Sequence, residues 1–350
     1  MTLLQVHLLD WSKKTVGISG KEEFVEDVIG AVVQKLGLYR EVSSPQLYSL
    51  WRLGLEEDRR DALLGTLLPH RMKTSDALAS STDAIYVLKI RLDIRQEELS
   101  NRADSDLLRY RFHQARWTIH SCLLHIEVDL LAKIVAREIY CLCGHMHHIQ
   151  DASFVQRQIE LAIGENVWKN EGEETTDRFS ATVLRELERL PLHSPFNIDG
   201  AHLLFLNLCG RKLPQAEGNW FRVSQLDKYD SNGKKQKPRS FSLFGSAKKP
   251  SPDLALSLWE SGLSFVTLHG SMSKRKEKEK ERGEDSFHTI HYDHIASWRW
   301  QSPGQVVIRC WSGTAVGVHL RCEEEVKEVM TLIGMRIDLQ ILRRSSGAGA

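Results

Sequence analysis

The sequence changes character twice along its 350 residues, and its middle section constrains the fold most. No proline occurs between Pro69 and Pro191, and the apolar residues of about 104–213 recur at helical spacing. Because proline removes a backbone hydrogen bond and clashes with the preceding turn, its absence permits long helices. The sections before and after this stretch show strand-like alternation. No single core accounts for this order, so we expect three lobes.

The first lobe, assigned to 1–93, has the pattern of a small α/β domain. Alternating Leu4, Val6 and Leu8 predict a strand, and a second short strand follows a polar turn. A helix comes next and ends at Gly37; its apolar face is formed by Phe24, Val28, Val32 and Leu36. Further strands are predicted over 46–53 and 85–90. This order of hairpin, helix and strands is typical of a β-grasp.

The second lobe, assigned to 94–215, is predicted to be a bundle of four or five helices. The clearest of them are expected at Ser105 onward, Val128–Tyr140, Phe179–Leu190 and Ala201–Leu213. At the end of the second helix five ligand-type residues occur within eight positions: Cys141, Cys143, His145, His147 and His148. A zinc site usually draws on a second ligand pair a dozen or more residues away, and none is evident. We therefore expect no bound metal.

The third lobe, assigned to 216–344, has strand-length segments and one final amphipathic helix. Seven strands are predicted, over 220–225, 254–259, 263–268, 287–291, 295–300, 306–311 and 314–320. Successive strands are expected to pair as an antiparallel meander that curls into a sandwich, with the helix at one end. Charged insertions are assigned to 226–252 and 271–285, and a tail to 345–350.

Composition narrows the class of protein. The formal net charge of +1 argues against bulk electrostatic capture by nucleic acid. The six cysteines have no disulfide-framework spacing, and no apolar run reaches the roughly 18 residues of a membrane span. The N-terminal residues also lack the pattern of a secretory signal. We expect a cytoplasmic or nuclear protein with free thiols.

Several segments, taken in order, resemble those of a FERM domain. They are Ile85–Leu92, Leu130–Tyr140, His202–Leu213 running into Asn219–Val223, His291–Trp300 and Val326–Ile337. The resemblance covers about 340 residues. It implies a ubiquitin-like β-grasp, an acyl-CoA-binding-protein-like helical bundle and a pleckstrin-homology or phosphotyrosine-binding-like sandwich. The corner at Cys141–His148 and the two long insertions depart from the family pattern, so the resemblance does not identify a subfamily.

The resemblance also implies a peptide groove between the fifth strand of the third lobe and the final helix. An extended peptide can add to a strand edge and place side chains against a helix. The expected lining is Ile295, Ser297 and Arg299 on the strand, and Glu325, Glu328, Val329, Leu332 and Arg336 on the helix. Trp298 and Trp300 share one face of the strand. If that face points inward, they belong to the core.

A second implied site is a basic cleft for a phosphoinositide head group, with candidates Arg59, Arg60, His70, Arg71 and Lys73. At about 1 kcal/mol for each cation near an anionic leaflet, three or four cations give only roughly millimolar attraction, so a receptor tail would be needed as a second signal. The implied protein is an adaptor between membrane-protein tails and cytoskeletal or signalling proteins. It would lie at the inner face of the plasma membrane or of endosomes.

Two other functions stay open. The chain could be the targeting or regulatory module of a larger kinase, phosphatase or motor, or a metal-dependent enzyme that uses the Cys and His cluster. Against catalysis, the sequence contains no phosphate-binding glycine loop, no His-Glu zinc motif and no nucleophile elbow. We expect no cofactor and no catalytic residues.

Overall fold

The computed structural model describes most of the chain. The described residues are 2–10, 12–18, 23–37, 48–53, 64–79, 84–90, 105–120, 126–144, 153, 155–160, 173–191, 196–230, 234, 254–267 and 287–345. Those up to residue 217 belong to one compact unit, and those from 218 onward belong to a second. None of the described helices is both long enough and apolar enough to cross a membrane.

The first lobe is a five-stranded mixed sheet covered by a helix. Its strands are β1 (Thr2–His7), β2 (Lys13–Ile18), β3 (Tyr48–Leu53), β4 (Thr66–Leu68) and β5 (Ile85–Ile90). They lie in the order β2-β1-β5-β3-β4, with β1 and β5 parallel. The sheet packs against α1 (Val25–Lys35), and a short α2 (Thr74–Ala79) follows β4. This is the β-grasp that the sequence predicted.

The start of α1 differs from the prediction. Phe24 lies before the helix, forms an isolated bridge with Lys73 and is 41 % exposed. Its backbone N–H donates to Asp27 Oδ2 at 2.8 Å, so a side chain of the first turn satisfies this N–H. Val28 and Val32 are buried as expected, and Gly37 ends the helix at φ +72°.

The second lobe is a helical bundle, as predicted. Its helices are α3 (Ser105–His120), α4 (Val128–Cys143), α5 (Glu173–Glu188) and α6 (Ile198–Lys212), with a further helical segment at 155–160. The helix α4 packs on both α5 and α6, and α3 packs on α6. Large apolar side chains at the centre, such as Phe112, Phe179 and Phe205, are almost fully buried.

Three side-chain contacts join the second lobe to β5 of the first. The Tyr110 hydroxyl donates to Leu88 O at 2.6 Å, and Gln114 exchanges two hydrogen bonds with the backbone of Ile90. Lys89 Nζ lies 4.2 Å from the ring of Trp51 and 5.5 Å from the ring of Trp117. Because these groups are buried, their hydrogen bonds and cation–π contacts fix the position of one lobe on the other.

A buried ion cluster links two helices of the bundle. Glu138 on α4 is 1 % exposed and accepts hydrogen bonds from Arg116 Nε at 2.5 Å and His120 Nε2 at 2.8 Å, both on α3. Burial on its own would raise the pKa of the Glu138 carboxyl, but the two cationic partners outweigh burial and lower it. The carboxylate is therefore charged at neutral pH and holds α3 against α4.

Removing that carboxylate should destabilise the protein. We expect Glu138→Ala to lower the free energy of unfolding by about 3 kcal/mol, because it leaves the partly buried Arg116 and His120 side chains without the acceptor that they share. Urea denaturation of the purified protein measures this. Glu188→Ala, at an exposed position of α5, is the control and should change the value by less than about 0.5 kcal/mol. Equal midpoints for the two variants would contradict the role of the cluster.

His113 on α3 is a partly buried base. Its Nδ1 has no hydrogen-bond partner among the described residues, and its ring packs edge-on to Phe112. Burial lowers the pKa of His113 from 6.5 to about 4, although the nearby Asp10 carboxylate acts in the opposite direction. The folded state therefore favours neutral His113.

This shift predicts that stability depends on pH. The unfolded chain binds the proton at pH 6.5 and the folded chain only near pH 4, so the contribution of His113 is complete above pH 6.5 and is lost as the pH falls toward 4. The loss should reach about 3 kcal/mol. Urea denaturation across this pH range should show a smaller slope for His113→Leu than for the unchanged protein. Equal slopes for His113→Leu and the unchanged protein would contradict the prediction.

The third lobe is a sandwich of two four-stranded antiparallel sheets. One sheet has the order β10-β9-β8-β6, formed by β6 (Asn219–Val223), β8 (Leu254–Trp259), β9 (Gly262–Thr267) and β10 (Phe287–His291). The other has the order β11-β12-β13-β7, formed by β7 (Gln225–Tyr229), β11 (Ile295–Ser302), β12 (Gln305–Cys310) and β13 (Ala315–His319). The predicted sandwich is therefore present, with eight described strands.

Two predictions for this lobe were wrong. The insertion assigned to 226–252 begins later, because Gln225–Tyr229 is the strand β7, which pairs with β13. The meander is also interrupted: β6 pairs with β8 and β7 with β13, so the chain changes sheets at Ser224. The N–H of Ser224 donates to His319 O at 2.8 Å at this crossing. The second predicted insertion, 271–285, lies outside the described residues.

Candidate peptide groove

The strand β11 lies at the edge of its sheet. It pairs with β12 on one side, and no described strand pairs with its other side. The register shifts between Ile295 and Ser297 and again between Trp300 and Ser302. The residues between these irregularities, Ser297–Trp300, form a regular run whose alternate backbone groups point away from β12. An edge of this kind is a template for another strand.

The side chains of this run divide between two faces. Ser297 and Arg299 are exposed on one face, while Trp298 and Trp300 share the other. Trp298 is half-buried and Trp300 is 40 % exposed, so neither belongs fully to the core. The indole N–H of Trp300 donates to Ser302 O at 2.7 Å, which fixes the orientation of this ring.

The helix α7 (Glu323–Ser345) closes the sandwich beside this edge. Glutamates fill its first turn, where negative charge favours the positive end of the helix dipole, and Glu325 Oε2 accepts a hydrogen bond from the N–H of Arg321 at 3.2 Å. Its apolar stripe of Val326, Val329, Leu332 and Ile333 is at most 2 % exposed. The helix is therefore anchored by core packing.

Two distances show which flank of α7 lies next to β11. A Cβ added at Gly334 would lie 3.4 Å from Cζ2 of Trp298, and Lys327 Nζ lies 5.6 Å from the centre of the Trp300 ring. Helical spacing places Met330 and Ile337 on the same flank as Gly334. These two side chains are partly exposed. We define the groove as Trp298 and Trp300 on β11 with Lys327, Met330, Gly334 and Ile337 on α7.

Most of the helix residues predicted for the groove lie elsewhere. Val329 and Leu332 are core residues, and Glu325 and Arg336 are buried at 1 % and 6 % exposure. Glu328 is partly exposed, but helical spacing puts it on the opposite flank from Gly334. Ile295 on the strand is also buried. Of the predicted set, Ser297 and Arg299 are exposed along the open edge.

One sequence signal could have indicated the correct flank. Gly334 lies in the middle of a 23-residue helix, where glycine costs about 1 kcal/mol relative to alanine. A glycine at such a position often allows another group to approach closely. Here that group is the Trp298 indole.

A cavity of about 230 Å³ lies at the C-terminal end of α7. It is lined by Ser261, His291, Asp293, Gln340 and Arg344. Arg344 and Asp293 form an exposed ion pair at 3.6 Å, so the charges of the lining largely cancel. The cavity offers hydrogen-bonding groups without a net charge that would select one ligand class.

The residues predicted to bind a lipid head group are only partly described. Arg59 and Arg60 lie outside the described residues. Arg71 and Lys73 are exposed in the connection after β4. His70 Nε2 donates to Tyr48 O at 2.9 Å and so has a structural role.

The Cys and His cluster is also only partly described. Cys141 and Cys143 belong to the last turn of α4, which ends at Gly144 with φ +79°, and the three histidines lie outside the described residues. Burial raises the pKa of the Cys141 thiol and of the Cys143 thiol. A thiolate, which both metal binding and nucleophilic attack require, is therefore disfavoured at either position.

Gly334 provides a test of the groove geometry. A separation of 3.4 Å is an ordinary contact, so Gly334→Ala should raise the free energy of unfolding by about 0.5–1 kcal/mol through better helix propensity. Gly304→Ala is the matched control and should destabilise, because Gly304 has φ +81°. Urea denaturation measures both. A destabilised Gly334→Ala protein would mean that Trp298 lies closer to the helix than described.

Comparisons with known proteins identify structural neighbours. No family model matches the sequence, and no curated protein matches it. The FERM and C-terminal domain complex of Drosophila Merlin matches with a TM-score of 0.62 at 13 % identity, over 99 % of each chain. The MyTH4-FERM MF2 domain of Dictyostelium discoideum myosin VII matches with a TM-score of 0.63 at 12 % identity, over 95 % of this chain and 58 % of that one. The MF1 domain of the same myosin matches at 0.56 and 12 % identity, over 97 % and 59 %.

Proposed function

We propose that this chain, which has the three-lobed fold of a FERM domain, is a non-catalytic adaptor that binds the cytoplasmic tails of membrane proteins. It would link those tails to cytoskeletal or signalling proteins. The observation that carries the proposal is the open edge of β11 beside the groove. An edge strand and an adjacent helix are the elements that β-strand addition of a peptide requires.

The groove can supply both affinity and sequence specificity for a bound peptide. Backbone groups of Ser297–Trp300 would pair with the peptide, and this pairing is independent of the peptide sequence. Alternate peptide side chains would meet Trp298 and Trp300, whose partly exposed rings offer a large apolar contact area. Because Gly334 has no side chain, the Trp298 indole lies close to the helix there, and the partly exposed Met330 and Ile337 border the groove on the same flank.

Attachment to a membrane would rest on more than one contact. The exposed cations Arg71 and Lys73 would each contribute about 1 kcal/mol near an anionic phosphoinositide-containing leaflet. That contribution is too small to hold the protein alone, so a bound tail would supply the rest. In this proposal the protein is cytoplasmic and lies at the inner face of the plasma membrane or of endosomes.

A second candidate is a targeting module within a larger protein such as a motor. It is favoured by the similarity to the myosin VII MyTH4-FERM domains, of which this chain matches 58 % and 59 %. In that case the groove would select a cargo tail, and the peptide chemistry would be the same.

Calorimetric titration with a panel of juxtamembrane tail peptides, with and without phosphoinositide vesicles, tests the proposal. We expect micromolar binding of at least one peptide. Gly334→Arg should weaken it more than tenfold, because the side chain would fill the groove beside Trp298. Met335→Arg adds the same charge at the next, exposed position and should bind normally.

Two further measurements serve as controls for this titration. Urea denaturation of Gly334→Arg shows whether the variant is folded, and Trp300→Ala tests the strand side of the groove independently. Failure of every peptide to bind, or equal binding by Gly334→Arg and Met335→Arg, would overturn the proposal.

A further inference from the structure

The outer face of the β11 edge carries positive charge. Arg299 is exposed on this face, and Arg309 on β12, which is exposed as well, lies directly opposite Ser297. Residues directly opposite one another in an antiparallel pair share a face, so both guanidinium groups lie on the same side of the sheet. Neither has an ion-pair partner among the described residues. The chain places two uncompensated cations next to the edge that a peptide would join.

Within the part of the chain that the structure describes, no acidic side chain forms an ion pair with either arginine. The sequence between Asp293 and Glu323 contains no aspartate or glutamate. On the same sheet, Asp227 of β7 is buried and already accepts hydrogen bonds from Gln225 and His319, at 2.8 Å and 3.1 Å. That strand is also the farthest of the four from β11. An incoming strand would therefore meet a positive outer face.

The opposite face of the same edge is apolar, because Trp298 and Trp300 face α7. A strand that adds to β11 has side chains that alternate between the two faces. One set would become cross-strand neighbours of Ser297 and Arg299, and the other set would enter the groove. The charge of one face and the apolar character of the other thus act on alternate positions of the same peptide.

We propose that the segment bound at β11 alternates acidic and large apolar side chains, with the acidic residues opposite Ser297 and Arg299, on the face that carries Arg299 and Arg309. This inference rests on the proposed function, because it specifies the partner of the same groove. Cross-strand pairs of opposite charge stabilise a sheet, and like charges at these positions destabilise it. Tails with basic residues at the outward positions would be rejected for the same reason.

Synthetic peptides with identical apolar residues at alternate positions test the preference. The intervening positions carry glutamate, serine or lysine. We expect the glutamate peptide to bind about fivefold more tightly than the serine peptide, and the lysine peptide to bind more weakly than either, by calorimetry at low ionic strength. The differences should shrink at high salt, since these charges are exposed.

A charge-reversed variant provides the matched test. Arg299→Glu should reverse the order of the glutamate and lysine peptides. Lys228→Glu makes the same change of charge on β7, three strands away in the same sheet, and should keep the original order. Both positions are exposed, and urea denaturation verifies that each variant is folded.

The outcomes separate the two proposals. If the serine and lysine peptides bind as tightly as the glutamate peptide, or if Arg299→Glu leaves the order unchanged, the charge preference is wrong while the groove stands. If no peptide of this set or of the tail panel binds, the proposed function fails and the preference fails with it.

Discussion

The proposed peptide groove of the third lobe depends on how α7 packs over the sandwich. Its buried stripe of Val326, Val329, Leu332 and Ile333 fixes both the rotation of the helix about its axis and its distance from the sheets. With that rotation fixed, Gly334 faces Trp298. The groove is therefore a product of core packing, and its lining residues need no interactions of their own to hold the helix in place.

The first unit shows the complementary use of polar groups. Apolar burial builds the β-grasp and the bundle, but buried polar contacts decide where they meet. Tyr110 and Gln114 bind the backbone of β5, and Lys89 lies between two tryptophans. Glu138 performs the same task between α3 and α4. Such contacts are costly to leave unpaired, so they exclude alternative arrangements of the same helices and strands.

Much of this fold could be predicted from local patterns. The strands β5, β8 and β10 and the first residue of α3 have the predicted bounds. The strand β7 was missed because its sequence, Gln225–Tyr229, has the polar composition of a loop, and its partner β13 is about 90 residues away. Helical spacing found the apolar stripe of α7, but the resemblance placed two buried residues of the helix, Val329 and Leu332, in the groove. Which flank of a helix faces a particular strand depends on tertiary packing, and spacing alone cannot decide it.

In the proposed role, the two register shifts in β11 would limit how long a partner stays bound. They leave only Ser297–Trp300 in a regular ladder, so a ligand gains few backbone hydrogen bonds. With a micromolar dissociation constant and an association rate constant of about 10⁶ M⁻¹s⁻¹, a bound tail dissociates in about one second. A site of this kind suits rapid exchange among competing tails, and sustained attachment would require several copies of the protein on one membrane to act together.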